Sequence, residues 1–157
     1  MNDENASMAG ELLQLNTWLN KHVALGPVAV ITGKNGDMDT VGSAIALASS
    51  HPNLMACGLH IGRTPQRYME RHQAPFRLLK ETKTAWPKQL AAIVVVDAAA
   101  PDQTGLHLPN VPKCIIDHHA TDGWDLTSDD LQLKWDVRST TEVVARYLHR
   151  HAPHSLS

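Results

Sequence analysis

The chain of 157 residues has the length of one typical globular domain. Its hydrophobic share of 43% and charged share of 19% argue against global disorder. The formal net charge of −2 excludes a uniformly basic surface that would bind nucleic acid by charge alone.

The N-terminal segment and the cysteines indicate a cytoplasmic protein. No apolar run approaches the ~20 residues needed to span a bilayer. The polar start of the chain lacks the pattern of a signal peptide, and we expect residues 1–9 to form a disordered tail. Cys57 and Cys114 have neither CxxC nor zinc spacing, which favours two buried, unbonded thiols in a reducing compartment.

Hydrophobic periodicity predicts helices that alternate with short apolar strands. Leu12, Leu15 and Leu19 recur at helical spacing, and this first helix ends near residues 21–22. Further helices are predicted over residues 41–48, 66–72, 76–82 and 139–151. Strands are predicted over residues 28–31, 54–61, 91–96, 114–116 and 131–135. We expect the last of these strands to lie at a sheet edge. Such alternation predicts an α/β fold with a mostly parallel sheet flanked by helices, and a single domain over residues 10–157.

Acidic and imidazole side chains follow three of the predicted strands. They are Asp37 and Asp39 after the first strand, Asp97 after the third, and Asp117, His118 and His119 after the fourth. In open α/β sheets, ligands bind beyond the carboxyl ends of the strands. We therefore expect these side chains to share one crevice.

A crevice lined by several carboxylates predicts a metal centre. Neighbouring carboxylates repel one another, and a divalent cation removes that cost. Oxygen and nitrogen ligands fit manganese, magnesium, zinc or iron. Two such ions ~3.5–4 Å apart can generate hydroxide at neutral pH and clamp an in-line displacement at phosphorus. The predicted reaction is hydrolysis of a phosphoester or phosphoanhydride.

Some of these residues also have a structural explanation, whereas the acid and two histidines at 117–119 directly follow a buried strand and need partners. Asp37 and Asp39 fit a turn in which an aspartate caps the next helix, and Asp97 fits an ordinary loop acid. The histidines outside the pair 118–119 show no ligand spacing. We expect those histidines to be exposed or partly exposed.

Residues 34–47 (KNGDMDTVGSAIAL), 94–97 (VVVD) and 115–119 (IIDHH) form an ordered set of motifs. In order and spacing they resemble the DHH phosphoesterase family, which takes its name from the third motif. Residues 138–142 (RSTTE) resemble the helix start that follows in many members. The resemblance covers residues 27–150 and implies a manganese- or magnesium-dependent phosphoesterase domain.

The resemblance also implies a role for each acid. Asp37 would hold one metal ion, Asp39 would hold the other, and Asp97 would bridge the two. His118 would ligate the second ion, and Asp117 would orient His118.

The resemblance implies that His119 would face the phosphate of a substrate. From the residues themselves, Arg138 would contact a phosphate because arginine matches its geometry, and the helix starts at Thr40 and Ser139 would offer N–H groups to an anion. The implied catalytic residues are Asp97, His118 and His119. The implied substrates are short oligonucleotides, cyclic dinucleotides and polyphosphates.

The sequence departs from the family pattern in its first motif and beyond its last. Gly33 occupies the position of a metal-binding histidine, four residues before Asp37, and Gly36 replaces the usual proline. The match includes neither the family's late metal-binding aspartate nor its C-terminal substrate-binding domain. Fewer protein ligands predict weaker metal binding, with water completing the coordination.

Three hypotheses therefore stay open. The chain is a minimal phosphoesterase, active alone or completed by a second copy or another chain. Alternatively, it is a degenerate domain that binds a nucleotide, a phosphate or a protein partner without turnover, or a piece of a longer hydrolase. The retained acidic cluster favours metal binding, because such a cluster is costly without a cation.

Overall fold

The structure is a computed structural model that describes residues 3–34, 36–59, 62–73, 75–79, 85–117, 123–134 and 140–156. The helices are α1 (Asp3–Val23), α2 (Met38–Ala48), α3 (Arg63–His72) and α4 (Thr140–His151), with short 3₁₀ helices at Pro101–Thr104 and Pro153–Leu156. The strands are β1 (Val28–Thr32), β2 (Leu54–Gly58), β3 (Arg77–Leu78), β4 (Ala92–Val96), β5 (Lys113–Asp117) and β6 (Leu131–Lys134). Among the described helices, none is long and apolar enough to cross a bilayer.

The six strands form one sheet in the order β3-β2-β1-β4-β5-β6, and every neighbouring pair is parallel. The central strands β1 and β4 are buried along their whole length. Burial on both faces explains why these strands read as continuous apolar runs rather than as alternating patterns. The predicted α/β fold is confirmed, and β6 lies at a sheet edge as expected.

The direction of strand addition reverses between β1 and β4. From β1 the chain passes through α2 to β2 on one side, whereas from β4 it passes through a 3₁₀ helix to β5 on the other side. Crossovers that diverge in this way leave a crevice at the carboxyl ends of the two strands, where ligands bind in open α/β sheets. Asp37 and Asp97 follow these two strand ends.

Alternate strand residues build an apolar layer on each face of the sheet. On one face, Val30 and Val94 pack with buried side chains of α1, α2 and α4. On the other face, Ile31 and Val95 pack with Trp124 and the connecting loops. Because α2 contacts both β1 and α4, its first turn has a fixed place beside the crevice.

Helix α1 begins at Asp3, so residues 3–9, which were expected to be part of a disordered tail, are helical. Met8 is buried in the core, and its sulfur accepts a hydrogen bond from Arg146 of α4. The polar composition of this segment does not reveal that α4 supplies a packing partner for it.

The helix predicted over residues 76–82 is wrong where the structure describes that segment. Arg77 and Leu78 form the edge strand β3, which pairs with Cys57 and Gly58 of β2. Strand formation there depends on a partner distant in sequence, which local periodicity cannot show. The other predicted helices and strands are present, with shifted ends.

One histidine that was expected to be exposed or partly exposed is buried, whereas two others are half-buried and agree with that expectation. His22 of α1 is 3% exposed and packs against Trp18, with ring centroids 4.3 Å apart. Within the described part of the chain, neither of its ring nitrogens has a hydrogen-bond partner. His51 and His151 are half-buried. Burial is the main cause that lowers the pKa of all three imidazoles below the usual value.

We expect the protein to lose stability as the pH falls below 6.5, the ordinary pKa of histidine. In the folded state these three imidazoles resist protonation, whereas in the unfolded chain they accept protons near pH 6.5. The unfolded state then binds more protons, so acid favours unfolding until the pH falls below the folded-state pKa values. Urea unfolding at several pH values between about 7.5 and 5 measures the dependence.

Substitution of His22 measures how much this buried imidazole contributes to the pH dependence of stability. We expect His22→Leu to flatten the pH dependence of the free energy of unfolding, because one of the three groups no longer titrates. His149→Leu on the exposed face of α4 is the matched control. A His22→Leu profile as steep as that of the wild type would contradict the assignment.

Candidate active site

The loop after β1 brings Asp37 to the start of α2. Asp37 has an extended backbone, and its Oδ1 accepts the N–H of Thr40 at 2.9 Å. It is therefore the N-cap of α2, as the turn explanation expected. The same hydrogen bond occupies the N–H of Thr40, so this N–H is not the one that the helix start offers to an anion.

Asp97 directly follows β4 with a left-handed backbone, at a φ of +60°. Non-glycine residues rarely adopt this conformation. The N–H of Asp97 donates to the carbonyl of Ile116 in β5 at 2.9 Å, and its Oδ2 accepts the hydroxyl of Thr40 at 2.6 Å. Hydrogen bonds to two neighbouring elements thus hold Asp97 in place. Residues fixed in sparsely populated conformations cluster at functional sites.

Two further side chains hold the loop that follows Asp97. The indole of Trp124 donates to the carbonyl of Ala98 at 2.9 Å, and the side-chain oxygen of Gln103 accepts the N–H of Ala99 at 2.8 Å. The carbonyl of Gln103 accepts the N–H of Lys34 at 2.6 Å, which ties this loop to the loop after β1. No sequence pattern predicts these roles of Trp124 and Gln103. Both side chains bind backbone groups, and every residue type at the partner position supplies such groups.

The structure brings three of the predicted acids to the same edge of the sheet. Asp117 is the last residue of β5 and is 3% exposed. Asp97 is hydrogen-bonded to Ile116, the residue before Asp117, so the two aspartates end neighbouring strands. Asp37 lies at the same edge, because Thr40 is hydrogen-bonded to both Asp37 and Asp97.

The full predicted ligand set cannot be assembled from the described residues. Among them, no three His, Cys, Asp or Glu side chains lie close enough together to hold a metal ion. Several predicted site residues lie outside this part of the chain, namely the side chain of Asp39 and the whole of His118, His119, Arg138 and Ser139.

Gly33 stands where the resemblance expects a histidine, and its surroundings leave no room for a side chain. A Cβ at this position would lie 2.7 Å from the carbonyl oxygen of Asp97 and 3.7 Å from that of Gln103. The first distance is too short for a real Cβ contact, and a backbone oxygen cannot rotate away as the end of a flexible side chain can. The close approach of the two backbone segments therefore excludes a histidine at this position, since any side chain requires the Asp97 peptide to move.

Residues 27–156 match the DHH family, N-terminal domain. The chain belongs to the DHH family. The matched segment includes Asp37, Asp97 and Asp117, the three acids that the structure brings to one edge. The family resemblance inferred from the motifs is confirmed.

Two solved structures share the fold. An exopolyphosphatase-related protein from Bacteroides fragilis has a TM-score of 0.69 at 15% identity, over 95% of this chain and 46% of that chain. A candidate family II inorganic pyrophosphatase from Methanococcus jannaschii has a TM-score of 0.59 at 26% identity, over 80% of this chain and 39% of that chain. The DHH domain described here thus spans less than half the length of either protein. No curated protein matches the sequence.

The donor chemistry at the sheet edge fits a hard divalent cation, which DHH family members generally use. Asp37 and Asp97 offer carboxylate oxygens, the ligands that magnesium and manganese prefer. Asp97 is held in one orientation by Thr40, so part of the entropy of ordering a ligand is already lost before a cation binds.

We expect Gly33→Ala to destabilise the protein by about 1–3 kcal/mol, because overpacking against fixed atoms has this cost. Chemical denaturation of the purified variant measures the change in the free energy of unfolding. Gly42→Ala is the matched control, since a Cβ at Gly42 in α2 has no heavy atom within 4 Å. There alanine should stabilise by about 0.5–1 kcal/mol through helix propensity. Equal effects of the two substitutions would count against the close contact at Gly33.

Proposed function

We propose that this DHH domain hydrolyses a phosphodiester or phosphoanhydride with manganese or magnesium as its cofactor. Asp97 carries the proposal. It is an acid in a rarely populated conformation, fixed by Thr40 and Ile116, at the point where the strand order of the sheet reverses. A glycine would adopt a φ of +60° without strain. An aspartate kept in this conformation beside a ligand crevice is therefore better explained by function than by folding.

The acids at the sheet edge would hold the cation. Asp37 and Asp97 supply carboxylate oxygens from the ends of β1 and β4, and Asp39 and His118 are the further proposed ligands. When bound, a divalent cation supplies Lewis acidity at phosphorus and lowers the pKa of water. Asp117, at the end of β5, would orient His118 through a hydrogen bond.

The substrate would meet the domain through its phosphate groups. His119, Arg138 and Ser139 are the proposed phosphate contacts, and His119, Asp97 and His118 are the proposed catalytic set. One of the similar structures, 26% identical over 80% of this chain, is a candidate family II inorganic pyrophosphatase, and this likeness supports a phosphoanhydride as the substrate. A second copy or another chain would supply any ligand that this domain lacks.

The closed position at Gly33 favours a second candidate function. Without room for an imidazole at this position, one of the two metal ions that the family resemblance implies has lost a ligand. A domain with one weakened metal position would hold a phosphate or nucleotide without turning it over. Substrate turnover separates the two candidates, whereas metal binding alone does not.

We expect Asp97→Asn to weaken manganese binding by at least about tenfold and to leave thermal stability close to that of the wild type. Asparagine tolerates a left-handed backbone and keeps an oxygen that can accept the Thr40 hydroxyl, but it lacks the negative charge. Titration calorimetry and thermal melts measure the two effects. Asp102→Asn, an exposed aspartate on the neighbouring 3₁₀ helix, is the control for loss of one charge. Equal manganese affinities of the two variants would remove Asp97 from the metal site.

We expect slow, manganese-dependent hydrolysis of at least one substrate from a panel of pyrophosphate, short polyphosphate, cyclic dinucleotides and short oligonucleotides. Release of phosphate or nucleotide, assayed with and without manganese, measures the activity. Asp97→Asn should abolish it, because the reaction requires the cation. If wild type and Asp97→Asn are equally inert on every substrate, the hydrolase proposal is wrong and the binding domain is the better description.

A further inference from the structure

Thr40, in the first turn of α2, contacts two of the proposed metal-binding acids at once. Its N–H donates to Oδ1 of Asp37 at 2.9 Å, and its hydroxyl donates to Oδ2 of Asp97 at 2.6 Å. Thr40 is only 1% exposed, so its own donor groups are shielded from water. Two carboxylates that follow different strands are thereby fixed to one neutral residue.

The direction of the hydroxyl hydrogen bond follows from the chemistry of its partner. An ionised carboxylate only accepts hydrogen bonds, so the single hydroxyl proton of Thr40 goes to Asp97. A threonine within a helix often donates this proton to a backbone carbonyl one turn earlier. Here the hydroxyl proton is donated to Asp97 in the loop after β4, and not to a carbonyl of the helix to which Thr40 belongs.

The surroundings of Asp97 favour a side chain that is held by a hydrogen bond. Its backbone is in a rarely populated conformation, and the strand end beside it carries Asp117. Repulsion between carboxylates favours rotamers that separate them, whereas a shared cation requires them to converge. A neutral donor holds one carboxylate oxygen without cancelling the charge that attracts the cation.

We infer that Thr40 is a positioning residue of the metal site, whose hydroxyl fixes the rotamer of Asp97 and so sets the direction from which this carboxylate meets a divalent cation. The inference rests on the proposed function, because it requires a cation at Asp97. Thr40 acts through Asp97 and is not itself a ligand. Removal of a residue that orients a metal ligand typically lowers metal affinity by about 10–100-fold.

Manganese titration calorimetry on the wild type, Thr40→Val and Thr40→Ser tests this inference. Valine keeps the branched shape without the hydroxyl, whereas serine keeps the hydroxyl without the methyl group. We expect Thr40→Val to bind manganese at least about tenfold more weakly and Thr40→Ser to bind it as the wild type does. Thr40→Ala, which also lacks the hydroxyl, replaces the valine variant if that variant does not fold.

Thr32→Val provides a matched control at the same edge of the sheet. Thr32 is the last residue of β1 and is fully buried, and its hydroxyl has no hydrogen-bond partner among the residues that the structure describes. We expect this substitution to leave manganese affinity unchanged and to keep or raise the thermal midpoint, because it removes an unsatisfied buried group. Thermal midpoints of the metal-free variants, measured in parallel, separate lost affinity from lost fold.

The remaining outcomes overturn the inference in distinguishable ways. If the wild type binds manganese and Thr40→Val binds it equally well, the positioning role is wrong and the proposed function is unaffected. If Thr40→Ser loses as much manganese affinity as Thr40→Val, the role of Thr40 is structural. The same conclusion follows if the thermal midpoint of Thr40→Val falls so far that unfolding at the titration temperature explains the lost affinity. If the wild type binds no manganese, the proposed function fails and the inference fails with it.

Discussion

The parallel pairing of β1 with β4 is the contact on which the candidate site depends. In this register Thr32 lies beside Val96, so Gly33 and Asp97 leave the two strands at the same level. The crossovers then depart in opposite directions, which leaves the crevice between them uncovered by either connection. Because α2 follows β1 and packs on the sheet, its first turn brings the Thr40 hydroxyl within reach of the Asp97 carboxylate.

This arrangement concentrates negative charge where folding alone does not favour it. Asp37, Asp97 and Asp117 end or follow three strands that lie next to one another in the sheet. Thr40 offsets part of the cost with two hydrogen bonds, but these leave the net charge of the edge unchanged. Sites of this kind commonly trade stability for function. The same trade is visible in the left-handed backbone of Asp97, which a glycine would adopt with less strain.

The sequence was sufficient to predict the sheet and the edge on which the acids gather. Continuous apolar runs such as residues 92–96 identify buried parallel strands, and the carboxyl ends of parallel strands share one edge. Features that depend on a distant partner were not predicted. The edge strand β3 forms only because β2 lies beside it, and the buried environment of His22 depends on how α1 packs.

Within the site, the identity of the acids could be predicted but the way they are held could not. The position of Asp97 after a strand follows from local pattern, whereas its φ of +60° follows from contacts with β5 and α2. The helix start at Thr40 was expected to offer N–H groups to an anion, and the side chain of Asp37 accepts the N–H of Thr40 itself. Short polar side chains near a helix start have several possible partners, and only the folded backbone decides between them.

The close approach of Gly33 to the carbonyl of Asp97 also limits which side chains position 33 can accept. A mutation that introduced histidine at this position would find the space filled, and the loop after β4 would have to move before the ring fitted. That movement would disturb the carboxylate held by Thr40. The histidine that the family resemblance expects at this position would therefore need compensating changes in the loop after β4.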